Sequence, residues 1–182
     1  LEKINNYFEV KLATVIRDKK EDHIPTTSTL NKKNSNLFGS ISNKFSDQFY
    51  LNYNFALDND FNKFEYNDFN ATFSINNLVT KFNFIEENGE IGNTNAFESS
   101  LAYTFNDNNY LSFKTRRNRK LNLTEYYDLV YEYKNDCLTA GIKYKKSYYQ
   151  DRDLKPTENL LFTLTLFPLT TYEYVADELL EN

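Results

Sequence analysis

From end to end the chain alternates apolar and polar residues with a period of two. That pattern confines it to extended strands, whose successive side chains point to opposite faces. In the segment Phe97 to Phe105 the odd positions read Phe, Ser, Leu, Tyr, Phe and the even positions Glu, Ser, Ala, Thr. Phe49 to Leu57 places Phe49, Leu51, Tyr53, Phe55 and Leu57 on one side and Tyr50, Asn52, Asn54 and Ala56 on the other. The same sorting recurs around Phe69 to Ile75, Leu78 to Phe84, Tyr110 to Lys114, Tyr126 to Tyr133, Leu138 to Lys145 and Leu160 to Phe167. Weaker versions occur at Phe8 to Ile16 and Leu37 to Phe45. The pattern therefore predicts about ten strands, near the ~9–11 residues that a tilted membrane strand needs. Helical spacing appears only faintly, at Tyr174 to Leu180.

The connections come in two kinds. Short polar turns are expected at Ser46-Asp47-Gln48, Asn76-Asn77, Asn106 to Asn109 and Lys134-Asn135-Asp136. Asn and Asp suit such turns because they tolerate left-handed backbone and bond their own main chain. Longer polar stretches fall between them at Asp18 to Ser35, Asp58 to Lys63, Glu86 to Asn95 and Gln150 to Asn159. Short turn, long loop, short turn is the layout of an antiparallel up-and-down transmembrane β-barrel. Tyr and Phe crowd the strand ends, as at Phe45 and Phe49, Phe105 and Tyr110, Tyr126 and Tyr127, and Tyr148 and Tyr149. Such crowding fits aromatic girdles at two water–lipid boundaries and equally the ordinary enrichment of aromatics in strands.

Composition narrows the alternatives. Aromatic residues make up 17 % of the chain, too many for simple disorder, although mean hydropathy is only -0.69. With 4 Gly, 3 Pro and 1 Cys, collagen-like sequence, a disulfide scaffold and a cysteine-rich zinc module are excluded. A net charge of -5 with interspersed signs makes a poor nucleic-acid binder. No run approaches the ~18 apolar residues of a transmembrane helix, which leaves membrane strands untouched as a possibility. The start Leu1-Glu2-Lys3, with neither Met nor a signal h-region, reads as a mature form or an internal fragment. No Gly/Ser/Pro linker divides the chain, so residues 1–169 are expected as one barrel segment and 170–182 as an acidic tail.

Catalytic signatures are absent: there is no nucleophile elbow, Walker loop, dinucleotide fingerprint or His-Glu-x-x-His. His23 is the only histidine, so no metal cluster is expected, and no cofactor. Asp151 and Asp153 read as loop charges, and the two sequons at Asn70 and Asn122 carry no weight in so Asn-rich a chain. The reading is of a non-enzyme. Lys81, Lys114, Lys143 and Lys145 share their faces with Asn, Ser, Thr and Gly, as do Glu98, Asp128 and Glu132. In a barrel they would line the lumen, either guiding an anionic amphiphile or merely paired and hydrated. Arg116, Arg117, Arg119 and Lys120 cluster at an outward strand end, suited either to phosphates or to solvent.

Residues 115–146 resemble the C-terminal region of the LptD family, the lipopolysaccharide-assembly proteins of the Gram-negative outer membrane, also called organic solvent tolerance proteins. The core of the likeness is Tyr133-Lys-Asn-Asp-Cys137-Leu. It is followed by the strand Ala140 to Lys146, the loop Asp151-Arg152-Asp153, and Leu160 to Leu169. Phe49 to Leu57 with Asp58-Asn59-Asp60 resembles the family's strand-and-loop pattern, so the likeness covers roughly residues 48 to 169. The resemblance implies that Cys137 lies at a periplasmic turn and bonds to a cysteine in an N-terminal region. Many members carry two adjacent cysteines, whereas here Leu138 follows. The alternative is an unpaired strand-end thiol.

The resemblance further implies that these strands form the C-terminal part of a barrel of about two dozen strands. Leu160, Phe162, Leu164 and Leu166 would then lie on the last strand, at the seam that opens sideways to release lipopolysaccharide. Lys81, Lys114, Arg116, Lys143 and Lys145 would be the lumenal or lipopolysaccharide-contacting residues. Expected partners are lipopolysaccharide, outer-membrane lipid, the plug lipoprotein of the translocon and the periplasmic bridge that delivers its cargo. A porin-like channel is the first rival, and a soluble β-sandwich binding module the second.

Overall fold

The computed structural model describes residues 6–148 and 156–176. Asp151, Arg152, Asp153 and Tyr149, most of the expected 150–159 loop, and residues 177–182 of the expected tail lie outside them. Among the described residues eleven strands form one sheet in sequence order: β1 (Tyr7–Ala13), β2 (Leu37–Lys44), β3 (Phe49–Leu57), β4 (Phe64–Ile75), β5 (Leu78–Glu87), β6 (Asn95–Asn106), β7 (Asn109–Asn118), β8 (Leu123–Lys134), β9 (Leu138–Ser147), β10 (Thr157–Leu166) and β11 (Thr170–Val175). The topology is all-β, antiparallel and up-and-down. The expected barrel closure is not seen: β1 and β11 are the two terminal strands of an open sheet. Helical structure among the described residues is confined to the single 3-10 turn Thr26–Ser28.

Short turns fall where the sequence predicts them, and the connections at 14–36, 58–63 and 88–94 are longer, but 119–122 is as short as 45–48, so the predicted alternation of length fails there. One set spans residues 45–48, 76–77, 107–108, 135–137 and 167–169; the other spans 14–36, 58–63, 88–94, 119–122 and 148–156. Local chemistry fixes the tight ones. Asn76 takes φ +48, a left-handed backbone that Asn adopts at little cost. At 135–137 the Asn135 Oδ1 accepts from the backbone N–H groups of Cys137 (3.0 Å) and Leu138 (2.8 Å), so the side chain replaces a backbone turn.

The last connection brings a correction. Residues 170–175 were expected in an acidic tail and Leu160 to Phe167 as the final strand. Instead Thr170–Val175 forms β11 and pairs with β10 in the register Phe162↔Tyr174, Leu164↔Tyr172 and Leu166↔Thr170. The physical reason is that Tyr172 and Tyr174 alternate with Thr171 and Glu173, a period of two, whereas most of the faintly helical stretch Tyr174 to Leu180 lies outside the described residues. The N–H of Leu169 donates to Leu166 O at 2.7 Å and closes the turn.

The chain divides into two compact units, one comprising Leu1–Phe73 and Phe82–Phe97, the other Ser74–Lys81 and Glu98–Asn182. Neither contains an apolar core among the described residues. The buried apolar residues are Ala56, Ala96 and Ala176, and the largest fully buried side chains are those of Asn36 and Thr29. A soluble domain of this length hides many Leu, Ile and Phe side chains. Here Phe8, Leu12, Phe105, Leu129, Ile142, Leu164 and Tyr172 are exposed.

Candidate functional site

Register decides which residues share a face, because cross-strand partners lie on the same side of the sheet. In the first unit, Val10, Ile41, Tyr53 and Phe69 form one row across β1 to β4. Leu51 and Ala71, with Phe49 and Phe73, extend the same face. Aromatic contact runs on from there: the Phe69 and Phe82 rings meet edge-on at 6.3 Å, and Phe82 stacks on Phe97 at 6.1 Å. Gly39 serves this face in one specific way. Its partner Phe55 lies across it, and a Cβ there would collide with the ring.

The opposite face of that unit is a web of amides. Asp68 accepts from the side-chain amides of Asn54 (3.1 Å), Asn70 (2.9 Å) and Asn83 (3.0 Å), while Asn83 also donates to Asn70 Oδ1 at 2.6 Å. The Ser42 hydroxyl donates to Asn52 at 2.7 Å in the next row. These groups are half-buried, and each carboxylate or carbonyl oxygen involved has a donor aimed at it. This cluster is hydrophilic, a surface compatible with water rather than with hydrocarbon.

The second unit repeats the division with different chemistry. Its apolar face carries the rows Phe113–Leu129–Tyr144–Leu160 and Leu111–Tyr131–Ile142–Phe162–Tyr174. Leu160, Phe162, Leu164 and Leu166, expected at an open seam, all sit on this face. They pair with Tyr144, Ile142, Ala140 and Leu138 of β9 on one side, and the last three face β11 on the other. That strand is interior to the sheet, so the expectation of an edge at β10 is overturned by β11. A furrow of about 350 Å³ runs along this face, with Tyr131 and Tyr133 on one bank, Tyr172 and Tyr174 on the other, and Ala140 and Leu164 between.

The polar face of the second unit is a ladder of alternating charge. Lys114 lies opposite Asp128, Asp128 opposite Lys145, and Lys145 opposite Asn159. Glu98 extends the row: its carboxylate takes Lys114 Nζ at 3.0 Å and the Tyr126 hydroxyl at 2.6 Å. Lys143 reaches Asp128 at 3.5 Å, and Arg116 pairs with Glu125 at 2.9 Å. The structure thus brings Lys114, Lys143, Lys145 and Arg116 to one face of the second unit. Lys81, in β5, is exposed on the side of its strand opposite Phe82. Pairs this exposed contribute below ~1 kcal/mol each, so they set charge balance rather than stability. Of these residues, Lys114, Arg116 and Lys143 each stand in an ion pair with an acid of the same face.

Cys137 is an exposed free thiol in the turn between β8 and β9, on the side of the sheet that carries the short connections. Its carbonyl accepts from the N–H of Phe167 at 2.9 Å, which links this turn to the next one. In the basic segment, Arg117 donates to Asn122 Oδ1 at 2.5 Å. No group of three or more His, Cys, Asp or Glu that would hold a metal exists among the described residues. None of their helices is long and apolar enough to cross a membrane.

Two features escaped the sequence. The hub role of Asp68 rests on register, which periodicity does not supply. The contact between Asn36 and Glu65 (2.5 Å) joins β4 to the end of a loop 29 residues away and has no local signature. Strand parity alone would have put Asn54, Asn70 and Asn83 on one face, and that much was readable. No protein-family profile and no curated protein matches the chain.

Proposed function

We propose that this sheet is a stretch of wall of a transmembrane β-barrel in the Gram-negative outer membrane, apolar face to lipid and polar face to a wet lumen. The observation that carries the reading is the missing core: the large apolar side chains are laid out in exposed rows on one face, and the largest fully buried ones are Asn36 and Thr29. Contiguous apolar surface of this extent is rare on a soluble monomer and ordinary on a membrane barrel. The height agrees as well. Phe97 to Phe105 spans about 27 Å of strand, or roughly 20 Å after a tilt near 40°, close to the ~25 Å apolar band of outer-membrane barrels. A β-sandwich would need a second layer packed on that face.

Within that reading, the barrel belongs to an LptD-like translocon that passes lipopolysaccharide through its lumen and releases it sideways into the outer leaflet. Two things support the assignment: the likeness of residues 115–146 to that family, and a lone cysteine exposed in a short turn, where a covalent tie to a periplasmic region would attach. The chain does no chemistry on its cargo. Its polar face offers water, amides and compensated charge to sugars and phosphates. A plug lipoprotein and a periplasmic bridge would be its partners.

The test is depletion of the full-length protein followed by fractionation and surface labelling of newly made lipopolysaccharide. The translocon reading expects an outer-membrane protein with heat-modifiable mobility, and loss of surface lipopolysaccharide on depletion. Outer-membrane residence with normal lipopolysaccharide leaves a porin-like channel. Recovery as a soluble monomer overturns the barrel itself.

A further inference from the structure

The most completely buried part of the first unit is polar, and it lies at the loop end of the sheet. Thr29 and Asn36 are fully buried and Ser35 nearly so, together with Ala56 and Ala96 on β3 and β6. Asn36 immediately precedes Leu37, which faces Leu57 on the apolar side, so strand alternation turns Asn36 to the polar side. From there its amide donates to the Glu65 carboxylate of β4 at 2.5 Å, crossing β3. The intervening strand carries the fully buried Ala56, a side chain small enough to pass beneath.

Residues 14–36, which join β1 to β2, do not project outward as a loose loop. Their two arms pair: Ser35 donates its N–H to Val15 O at 2.9 Å, Arg17 to Lys33 O at 2.7 Å, and Glu21 to Asn31 O at 3.0 Å. The tip then folds back, so that Thr29 Oγ1 accepts from the N–H of Asn36 at 3.4 Å. Further along, Lys32 reaches Glu90 at 2.9 Å, in the connection between β5 and β6. A segment rooted at β2 is thus held at β4 and beyond β5. Flat β-sheet spacing puts those anchor points about 10 and 14 Å from β2, distances that the extended side chains of Asn36 with Glu65 and of Lys32 with Glu90 span, so the two contacts tie the segment sideways across the loop end of the sheet.

The seal is also incompletely satisfied. Asn36 Oδ1, Asn31 Oδ1 and Arg17 Nε are buried without a hydrogen-bond partner. Buried polar groups of this kind recruit water or are relieved by opening. A permanent structural cap would be expected to pack apolar groups or complete its hydrogen bonds; this one is fastened by two polar clasps and leaves three buried polar atoms unpaired between them.

We propose that residues 14–36 are a strap that closes the loop end of the polar face in the first unit, fastened by Asn36–Glu65 and Lys32–Glu90, and that releasing the clasps opens that face to large polar solutes. The proposal rests on the polar face being a lumen. The experiment uses the full-length protein in outer membranes and in planar bilayers, comparing wild type with E65A, N36A, K32E, E90K and the charge swap K32E/E90K. Heat-modifiable mobility is checked for each variant, so that misfolding is recognised independently.

The strap account expects folded E65A and K32E to raise open-channel occupancy and uptake of a bulky glycopeptide antibiotic by about fivefold, the scale of losing one charge-assisted contact. The swap is expected to restore the wild-type value. Folded single variants with conductance and uptake at wild-type level overturn the strap while leaving the barrel standing. If E65A fails to fold, the K32E, E90K and swap series decides the matter alone, because those side chains are partly exposed and their loss does not threaten folding. No heat-modifiable species and no conductance in any form, wild type included, defeats the lumen reading itself and the strap with it.

Discussion

Replacing Ile142 by Arg separates a lipid-facing sheet from a solvent-facing one by magnitude. Ile142 is the fifth of ten residues in β9, between Tyr131 and Phe162 on the apolar face, and is 42 % exposed. At ~3.4 Å per residue it lies about 14 Å along the strand from Leu138, or roughly 10 Å in depth after tilt. That is close to the middle of a ~25 Å hydrocarbon band, where an outward Arg costs ~2–4 kcal/mol. A tenfold change in equilibrium constant corresponds to ~1.4 kcal/mol, so the folding equilibrium constant falls by roughly thirtyfold to several hundredfold. With a urea slope near ~2 kcal/mol/M the midpoint drops by about 1–2 M.

The companion variant is Ser112→Arg, on the opposite face of β7 opposite Val130. A lumenal Arg stays hydrated and is expected to cost under ~1 kcal/mol. Both variants of the full-length protein are refolded into phospholipid vesicles and followed by heat-modifiable mobility across a urea series. Equal midpoints for the two, within about 0.5 kcal/mol, refute the sorting of faces by lipid and water. In a soluble sheet the exposed Ile142 would accept Arg at almost no cost, since surface substitutions stay within ±0.5 kcal/mol.

Asp68→Ala strips the common acceptor from Asn54, Asn70 and Asn83; the expected loss is about 1–3 kcal/mol in the same urea series, and a neutral result removes Asp68 as the hub of that face. Cys137 is expected to resist a membrane-impermeant maleimide in cells until a reductant is added, and Cys137→Ser to abolish the reductant-dependent gel shift of the full-length protein; ready labelling without reductant identifies an unpaired thiol instead.

Much of the architecture was written in the alternation. Phe49–Leu57 is a strand at the bounds read from the sequence, and the segments at Leu78, Phe97 and Leu138 became longer strands in which the expected residues keep their alternation. The weak reading at Phe8 to Ile16 held only through Ala13, because beyond it the chain turns into the paired arms of residues 14–36, with Ile16 bridged to Asn34. β11 was missed because its six residues follow Pro168 and run into Tyr174 to Leu180, whose spacing reads as faintly helical. The charged residues were assigned to the correct side of each strand by parity, yet which acid meets which base depends on stagger between strands. Glu98 meets Tyr126 across an intervening strand, a contact no local pattern encodes.

An odd number of alternating staves has a geometric consequence. Starting from β1, each neighbour reverses direction, so β11, ten steps later, points the same way as β1. Were those two rims joined directly, the hoop would carry a single parallel joint among antiparallel ones, with evenly slanted hydrogen bonds at that place alone. A hoop antiparallel all the way round requires an odd number of additional staves between the rims, which gives the even total usual in bacterial barrels.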